Sequence, residues 1–269
     1  MPEGVEIEIY RLSAEEVVGR TIDAVDAPDE WFCKNGTTPE ELRAVLPGSI
    51  VVAARRRGKL LVLDLDDPAG ERRRLGLRFG MTGRLIVDEG AAIEYLEYSS
   101  QRDDPAWDRF GLTFASPAGG RLLIRDPRRL GGVELEPDED ALGPDVFTIT
   151  PAPFRDRVAV GDVAIKARLL DQARIAGVGN LIADETLWRA GVDPAAPAGS
   201  LDAAAQGRLV RRLRSVVAEF LASGGSHTGR LQDQRQRGGQ CPRCGTTLDR
   251  RQVGGRTTFS CPRHQPASG

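Results

Sequence analysis

The sequence predicts an α+β protein of more than one domain: an antiparallel β region, a helical region and a small metal-folded hairpin. Three observations lead there. Short apolar strands fill the first half, the hydrophobic period becomes helical in the second, and two Cys/His ligand pairs lie near the end. The 269 residues amount to about two domains at roughly 100–200 residues each, enough to bury sizeable cores. Hydrophobic residues are 40% and charged residues 28% of the chain, the balance of a soluble globular protein. No apolar run reaches the ~18 residues of a membrane-spanning helix. The acidic start Met1-Pro2-Glu3-Gly4-Val5-Glu6 lacks the apolar segment of a secretory signal. A cytoplasmic location is expected, where disulfides are rare.

The elements follow in order. A helix is expected over Glu3–Val18, with Val5, Ile9, Leu12 and Val17 on one face. Leu60–Leu65, Arg84–Val87, Phe110–Phe114 and Arg121–Arg125 read as short strands, which together imply an antiparallel sandwich or barrel. From Glu134 to Pro153 the chain is acidic and Pro-rich, the composition of a linker. Helices are then expected over about Val163–Gln172, Asn180–Ala190 and Ser200–Ser223. The last would be capped by Ser200, bury Leu209, Leu213, Val216, Val217 and Phe220, and end at Gly224-Gly225. The polar stretch from Gly225 to Gln240 reads as loop, and no internal repeat is visible.

The net charge of −2 hides an asymmetry. From Ala205 onward there are 12 Arg, no Lys and 3 acids, a surplus of nine positive charges, so the preceding residues carry −11. A basic tail on an acidic body is the pattern of a module facing a polyanion. The alternative is a set of solvated helix faces.

Cys241-Pro-Arg-Cys244 and Cys261-Pro-Arg-His264 form two ligand pairs with 16 residues between them. A two-residue gap lets both side chains of a knuckle reach one metal, and two knuckles supply the four ligands of tetrahedral zinc. One structural zinc of Cys3His type is the expected cofactor. All four positions are protein, so the ion would serve to fold a hairpin carrying Arg250, Arg251 and Arg256. The alternative leaves His264 as a surface residue. Cys33 stands apart and is expected to be a buried thiol. The turn Gly177-Val178-Gly179-Asn180 precedes a helix; its glycines allow close backbone approach, and a helix N-terminus can receive a phosphate. By itself such a turn is also an ordinary connector.

Taken together, these pieces resemble the formamidopyrimidine-DNA glycosylase/endonuclease VIII family. Five blocks in the family's order carry the resemblance: Pro2-Glu3-Gly4-Val5-Glu6; Arg57-Gly58-Lys59-Leu60-Leu61; Gly80-Met81-Thr82-Gly83; Asp126-Pro127-Arg128-Arg129; and Gly177 to Glu185 with Leu187-Trp188, followed by the zinc motif. The resemblance implies an N-terminal antiparallel β-sandwich with a flanking helix as the catalytic domain (1–135), an acidic, Pro-containing linker (136–153), a helix–two-turn–helix DNA-binding domain (154–226), a loop (227–240) and a zinc finger (241–266). It implies a monomeric, nucleoid-associated base-excision-repair enzyme, a bifunctional DNA glycosylase and AP lyase. Its partner is double-stranded DNA holding a damaged base or an abasic site, bound between the two halves.

The implied chemistry starts once Met1 is removed. Pro2 then offers a secondary amine; an α-amino group titrates near roughly 7.7–8.0, so part of it is neutral at physiological pH. Its attack on C1′ displaces the base and leaves an iminium, an electron sink that permits β- and then δ-elimination of the phosphates. Glu3 matches the family's acid/base, and Glu6 its second N-terminal carboxylate. Lys59 matches the lysine that grips phosphate beside the lesion; Asn180, Arg256 and Lys166 match basic or phosphate-contacting positions. A base inside a duplex must be flipped out, and Met81 and Arg128 match two of three side chains that fill the void; core packing is the other reading of Met81.

The sequence also departs from the pattern. Arg78-Phe79 stands where His-Leu is usual, Leu130 where a third, often aromatic, void-filler falls, and His264 where a fourth cysteine is usual. Val5 replaces the proline of the endonuclease VIII branch. The stretch between Gly225 and Cys241 is short, lacking the loop that covers flipped 8-oxoguanine. These departures point to oxidised pyrimidines, ring-opened purines or abasic sites. They also leave open a damaged-DNA-binding paralogue with little glycosylase activity, against which intact Pro2 and Glu3 argue. A zinc-ribbon transcription or RNA-binding factor would not need the N-terminal proline.

Overall fold

The structure is a computed structural model and describes residues 2–93, 96, 100 and 102–267. The expected loss of Met1 lies outside the described residues. The chain forms two compact units: one comprises residues 6–139 with Pro2, the other 140–267 with Glu3–Val5. Among the described residues, no helix is long and apolar enough to cross a membrane.

In the first unit, α1 (Gly4–Ala14) leads into β1 (Ile22–Asp26), α2 (Pro39–Val45), β2 (Ile50–Arg57), β3 (Leu60–Asp66), β4 (Arg72–Arg78), β5 (Arg84–Val87), β6 (Gly90–Ala91), β7 (Asp108–Phe114), β8 (Arg121–Arg125) and β9 (Gly132–Leu135). The strands make two antiparallel sheets, ordered β1-β7-β8-β5-β6 and β2-β3-β4-β9. Strand side chains alternate between faces. Leu61, Leu63 and Leu65 of β3 thereby share one core with Leu112 and Phe114 of β7 and Leu122 and Ile124 of β8. Two sheets around one core are the expected sandwich.

The flanking helix turns differently from the expected face. Ile7, Tyr10 and Ala14, with Val17 just beyond the helix, enter the core, while Leu12 is 48% exposed. Residues three or four apart share a helix face; Ile7, Tyr10 and Ala14 obey that spacing, whereas Leu12 falls opposite.

The first half of the acidic segment is not free linker. Glu134 lies in β9 and is buried, Arg78 donating to it at 2.7 Å; Arg74 donates to Glu136 at 2.9 Å. Arg55 bonds both Asp64 and Glu139. That pairing raises the Arg55 pKa and lowers that of Glu139. Cys33 is half-buried rather than fully interior, and burial pushes its thiol up.

In the second unit, α3 (Pro151–Arg157), α4 (Ile165–Leu170), α5 (Asn180–Ala190) and α6 (Ala203–Ala222) precede a hairpin of β10 (Asp249–Val253) and β11 (Arg256–Ser260). Helix α6 buries the five predicted side chains. Its cap, however, is Asp202, which accepts from Ala205 N at 2.6 Å; Ser200 belongs to the preceding 3-10 turn, where its hydroxyl donates to Pro197 O. A carboxylate at an N-cap is also favoured by the helix dipole.

Candidate active site and nucleic-acid interface

In the first unit, register alone gathers several predicted residues. Gly58-Lys59 is the two-residue turn joining β2 to β3, with Arg57 opposite Leu60. Gly58 has φ 60°, the conformation a tight hairpin asks of its first central residue. Leu60 pairs with Arg78 and Arg78 with Gly132. The Lys59 tip, the Met81 turn and the 126–131 loop therefore leave the same end of the four-stranded sheet. Lys59 and Met81 are half-buried, and Arg128 is exposed.

The Met81 turn and the Arg128 loop touch. Gly80 has φ 56°, and a Cβ there would lie 2.4 Å from the Leu130 carbonyl carbon, so any side chain would prise the two apart. The buried Asp126 carboxylate organises both. It accepts from Thr82 Oγ1 at 2.5 Å, from Arg128 N at 3.2 Å, from Leu130 N at 2.9 Å and from Gly131 N at 2.8 Å. Sequence reasoning quoted Asp126 within a motif but gave it no role; its invisible partners are backbone N–H groups. Arg128 and the 49%-exposed Leu130 project from this braced loop. Met81, being half-buried, is not a core side chain alone.

Pro2 is buried immediately ahead of α1, and Glu6 is buried in the first turn of α1, where its charge helps raise the pKa of Tyr10. Burial is the larger cause of that rise.

In the second unit, Glu3 is fully buried at the N-terminus of α5. Its carboxylate accepts from Leu181 N at 2.7 Å, Ile182 N at 3.0 Å and Gly179 N at 3.1 Å. The helix N-terminus expected to receive a phosphate thus holds a carboxylate of the chain itself, which uses the same free N–H groups and the same dipole. The glycines serve this contact. Gly4 N donates to Gly177 O at 2.8 Å, and a Cβ on Gly179 would stand 2.2 Å from Glu3 Cδ.

Asn180 and Lys166 both reach β11. Asn180 Nδ2 donates to Thr257 O at 3.2 Å, and Lys166 Nζ donates to Thr258 Oγ1 at 2.6 Å and Thr257 O at 3.3 Å. Lys166 is fully buried and pairs with Asp184 at 2.6 Å; Arg235 also pairs with Asp184. Burial lowers the Lys166 pKa, against the pull of Asp184. An interior ammonium with these partners is not placed to grip a phosphate. In this structure Lys166 clamps the strand that carries Arg256 from beneath. Arg256 opens β11 and is exposed.

The sulfurs of Cys241, Cys244 and Cys261 lie within 4.8 Å of one another, a group that could hold a metal ion. Cys241 and Cys261 are buried, and Trp188 Nε1 donates to Cys241 Sγ at 3.3 Å. Hydrogen bonding with Thr246 holds the Cys244 thiol down, and burial pushes Cys261 up. His264 is half-buried.

Comparison with known proteins agrees with this geometry. Residues 1–133 match the model of the formamidopyrimidine-DNA glycosylase N-terminal domain, and residues 141–231 that of the formamidopyrimidine-DNA glycosylase H2TH domain. The formamidopyrimidine-DNA glycosylase of Chloroflexus aggregans is 34% identical, with 97% of this chain and 98% of that protein covered. That of Paracoccus denitrificans is 32% identical, with 97% and 99% covered. The Lactococcus lactis Fpg in complex with abasic-site DNA superposes with a TM-score of 0.80 at 26% identity, over 98% of this chain and 100% of that one. A complex of the same protein with DNA containing an oxidised pyrimidine gives 0.81 at 26% identity, over 99% and 100%.

Proposed function

The chain belongs to the formamidopyrimidine-DNA glycosylase family, and we propose that it excises oxidised bases from double-stranded DNA and cleaves the strand at the resulting abasic site through a covalent iminium on Pro2. The observation that carries this reading is the seat of Glu3. A dipeptide at a chain start is ordinarily frayed, yet here the residue after Pro2 is fully buried and held by three backbone N–H groups of another segment.

The chemistry follows from a secondary amine. Its lone pair forms a bond to C1′, the C1′–N bond to the base breaks, and the Pro2 N–H proton is passed on as the base leaves protonated. Protonation of O4′ then breaks the C1′–O4′ bond, and the nitrogen, with no hydrogen left to lose, holds C1′ as an iminium. Loss of the C2′ proton expels the 3′ phosphate by β-elimination, and δ-elimination expels the 5′ phosphate. In this reading Glu3 moves the proton that opens the sugar ring, and Glu6 helps seat the N-terminal turn. Lys59, Asn180 and Arg256 position the backbone by charge and hydrogen bonding, while Met81, Arg128 and Leu130 enter the gap left by the flipped nucleotide. Leu130 and the short 225–240 segment favour oxidised pyrimidines and ring-opened purines over 8-oxoguanine.

The metal is zinc in the same reading. Three cysteine sulfurs are gathered, and the buried Nε2 of His264 has no hydrogen-bond partner among the described residues, an orphan that a metal would satisfy. Cys241, Cys244, Cys261 and His264 would hold the ion, whose contribution is to fold the hairpin.

Borohydride trapping tests the proposal, with untagged protein whose Met1 removal is verified by intact mass. Duplexes carry an abasic site, an oxidised pyrimidine or 8-oxoguanine. A covalent adduct is expected on the first two, absent in Pro2→Gly and whenever Met1 is retained. Tight binding to the abasic duplex with no adduct would instead favour a damage-binding protein.

A further inference from the structure

We propose that Trp31 and the pocket beside it form a stacking subsite for a DNA base next to the loop bearing Arg128 and Leu130. The inference rests on the DNA reading above and adds to it a contact made by a base face.

The starting observation is an indole in water. Trp31 is 68% exposed, while the next residue, Phe32, is fully buried. Both sit on one 3-10 turn, Glu30–Phe32, so the indole projects from a turn anchored by the buried Phe32 ring. The Lys34 ammonium lies 5.1 Å from the Trp31 ring centroid and donates to Trp31 O at 2.5 Å, which restrains the turn from its other side. Beside the indole opens a pocket of about 590 Å3 that Lys34 and Arg129 also line, within the roughly 300–1,000 Å3 of small-molecule sites.

The pocket begins where the wedge loop ends. Arg129 stands between Arg128 and Leu130, adopts φ 55° and clasps Asp29, with Nε donating to Oδ2 at 2.6 Å. A Cβ on Gly131 would lie 2.9 Å from the Phe32 ring, and one on Gly132 2.5 Å from Lys34. At Gly131 and Gly132 the wedge loop therefore packs directly against Phe32 and Lys34 of the Trp31 turn.

Charge decides what part of DNA fits. The pocket lining balances the carboxylates of Asp29 and Glu30 against the cations of Lys34 and Arg129, and Arg129 is already paired with Asp29. A phosphate would meet no net positive charge there. A base carries no charge and presents a flat face, and base–aromatic stacking tolerates any sequence. A wedge that unstacks a base step leaves a base face needing a new neighbour, and Trp31 supplies one on the adjoining surface.

The test uses the untagged full chain and a duplex carrying a tetrahydrofuran abasic analogue, with affinity read by anisotropy at several salt concentrations. Trp31→Ala should weaken binding roughly tenfold, in keeping with the loss of one stacked base, with the log–log salt slope unchanged. Trp31→Phe should recover most of the loss. Intrinsic fluorescence should be quenched by the duplex in the wild type and not in Trp31→Phe, which retains Trp107 and Trp188. Binding by Trp31→Ala within about twofold of wild type, or a loss accompanied by a flatter slope, overturns the proposal. Borohydride trapping at saturating protein, on a duplex carrying a true abasic site in place of the tetrahydrofuran, separates the two readings. An adduct in both wild type and Trp31→Ala, without the affinity loss, removes the subsite alone. The affinity loss without any wild-type adduct removes the Pro2 chemistry alone.

Discussion

At Gly179 a single hydrogen atom decides whether the site can assemble. The residue has φ −118°, an ordinary extended value, so its backbone alone would admit any residue. What excludes a side chain is Glu3, whose Cδ would lie 2.2 Å from a new Cβ. Gly179→Ala should therefore push Glu3 off the α5 N-terminus, stranding a buried carboxylate and three N–H donors; an unsatisfied buried group costs about 1–3 kcal/mol. The expected outcome is loss of the borohydride adduct with a folded protein that still binds abasic duplex. An undiminished adduct would disconnect Glu3 seating from Pro2 chemistry. Sequence alone showed that Gly177 and Gly179 make room for something; it could not show that the something is the chain's own Glu3 and Gly4, Glu3 lying 176 positions from Gly179, because close approach of remote segments leaves no periodic trace. The burial of Lys166 is hidden from sequence for a related reason: its type marks it as basic, but its surroundings depend on whether a carboxylate waits inside, and Asp184 does.

At the scale of elements, legibility tracked hydrophobic pattern. Strands β3, β5, β7 and β8 are apolar and were read directly, and helix α5 spans the residues expected. Strand β4 was missed because it begins with Arg72-Arg73-Arg74. Its polarity is matched across the sheet, where Arg73 pairs with Asp67 and Arg74 with Glu136, and a single-chain pattern does not reveal cross-strand partners. The C-terminal hairpin was read from ligand spacing instead, and its core is small: Trp188, Leu231, Leu248 and Phe259 with Cys241 and Cys261. So small a cluster leaves much of the folding energy to a metal. One zinc per chain is expected by elemental analysis. His264→Ala should release the zinc to a competing chelator at lower chelator concentration, whereas His264→Cys should retain it. Chelation should abolish DNA binding before it unfolds the first unit. A His264→Ala protein that holds zinc as tightly as wild type would remove His264 from the ligand set.

Across the whole molecule, charge is distributed by task. The net −2 conceals nine surplus positive charges after residue 204, and the structure separates those already committed from those exposed. Arg235 pairs with Asp184, Arg251 with Asp193, and Arg189, within the acidic body, with Glu219. Arg256 is exposed at the start of β11, on a strand held from below by Asn180 and Lys166. A charge that neutralises one phosphate releases its condensed counterions, so each such contact contributes about 0.9 to the log–log slope of affinity against salt. Arg256→Ala should weaken binding to damaged and undamaged duplexes alike and flatten that slope by about one. Lys166→Met should behave differently. Removing the buried ammonium leaves Asp184 with Arg235 as its one remaining ion-pair partner among the described residues and frees Thr257 and Thr258 of β11, so thermal stability falls and the hairpin loosens, and any loss of affinity comes through stability. A slope unchanged in Arg256→Ala would remove Arg256 from the phosphate contacts. A slope flattened by one in a stably folded Lys166→Met would return Lys166 to them.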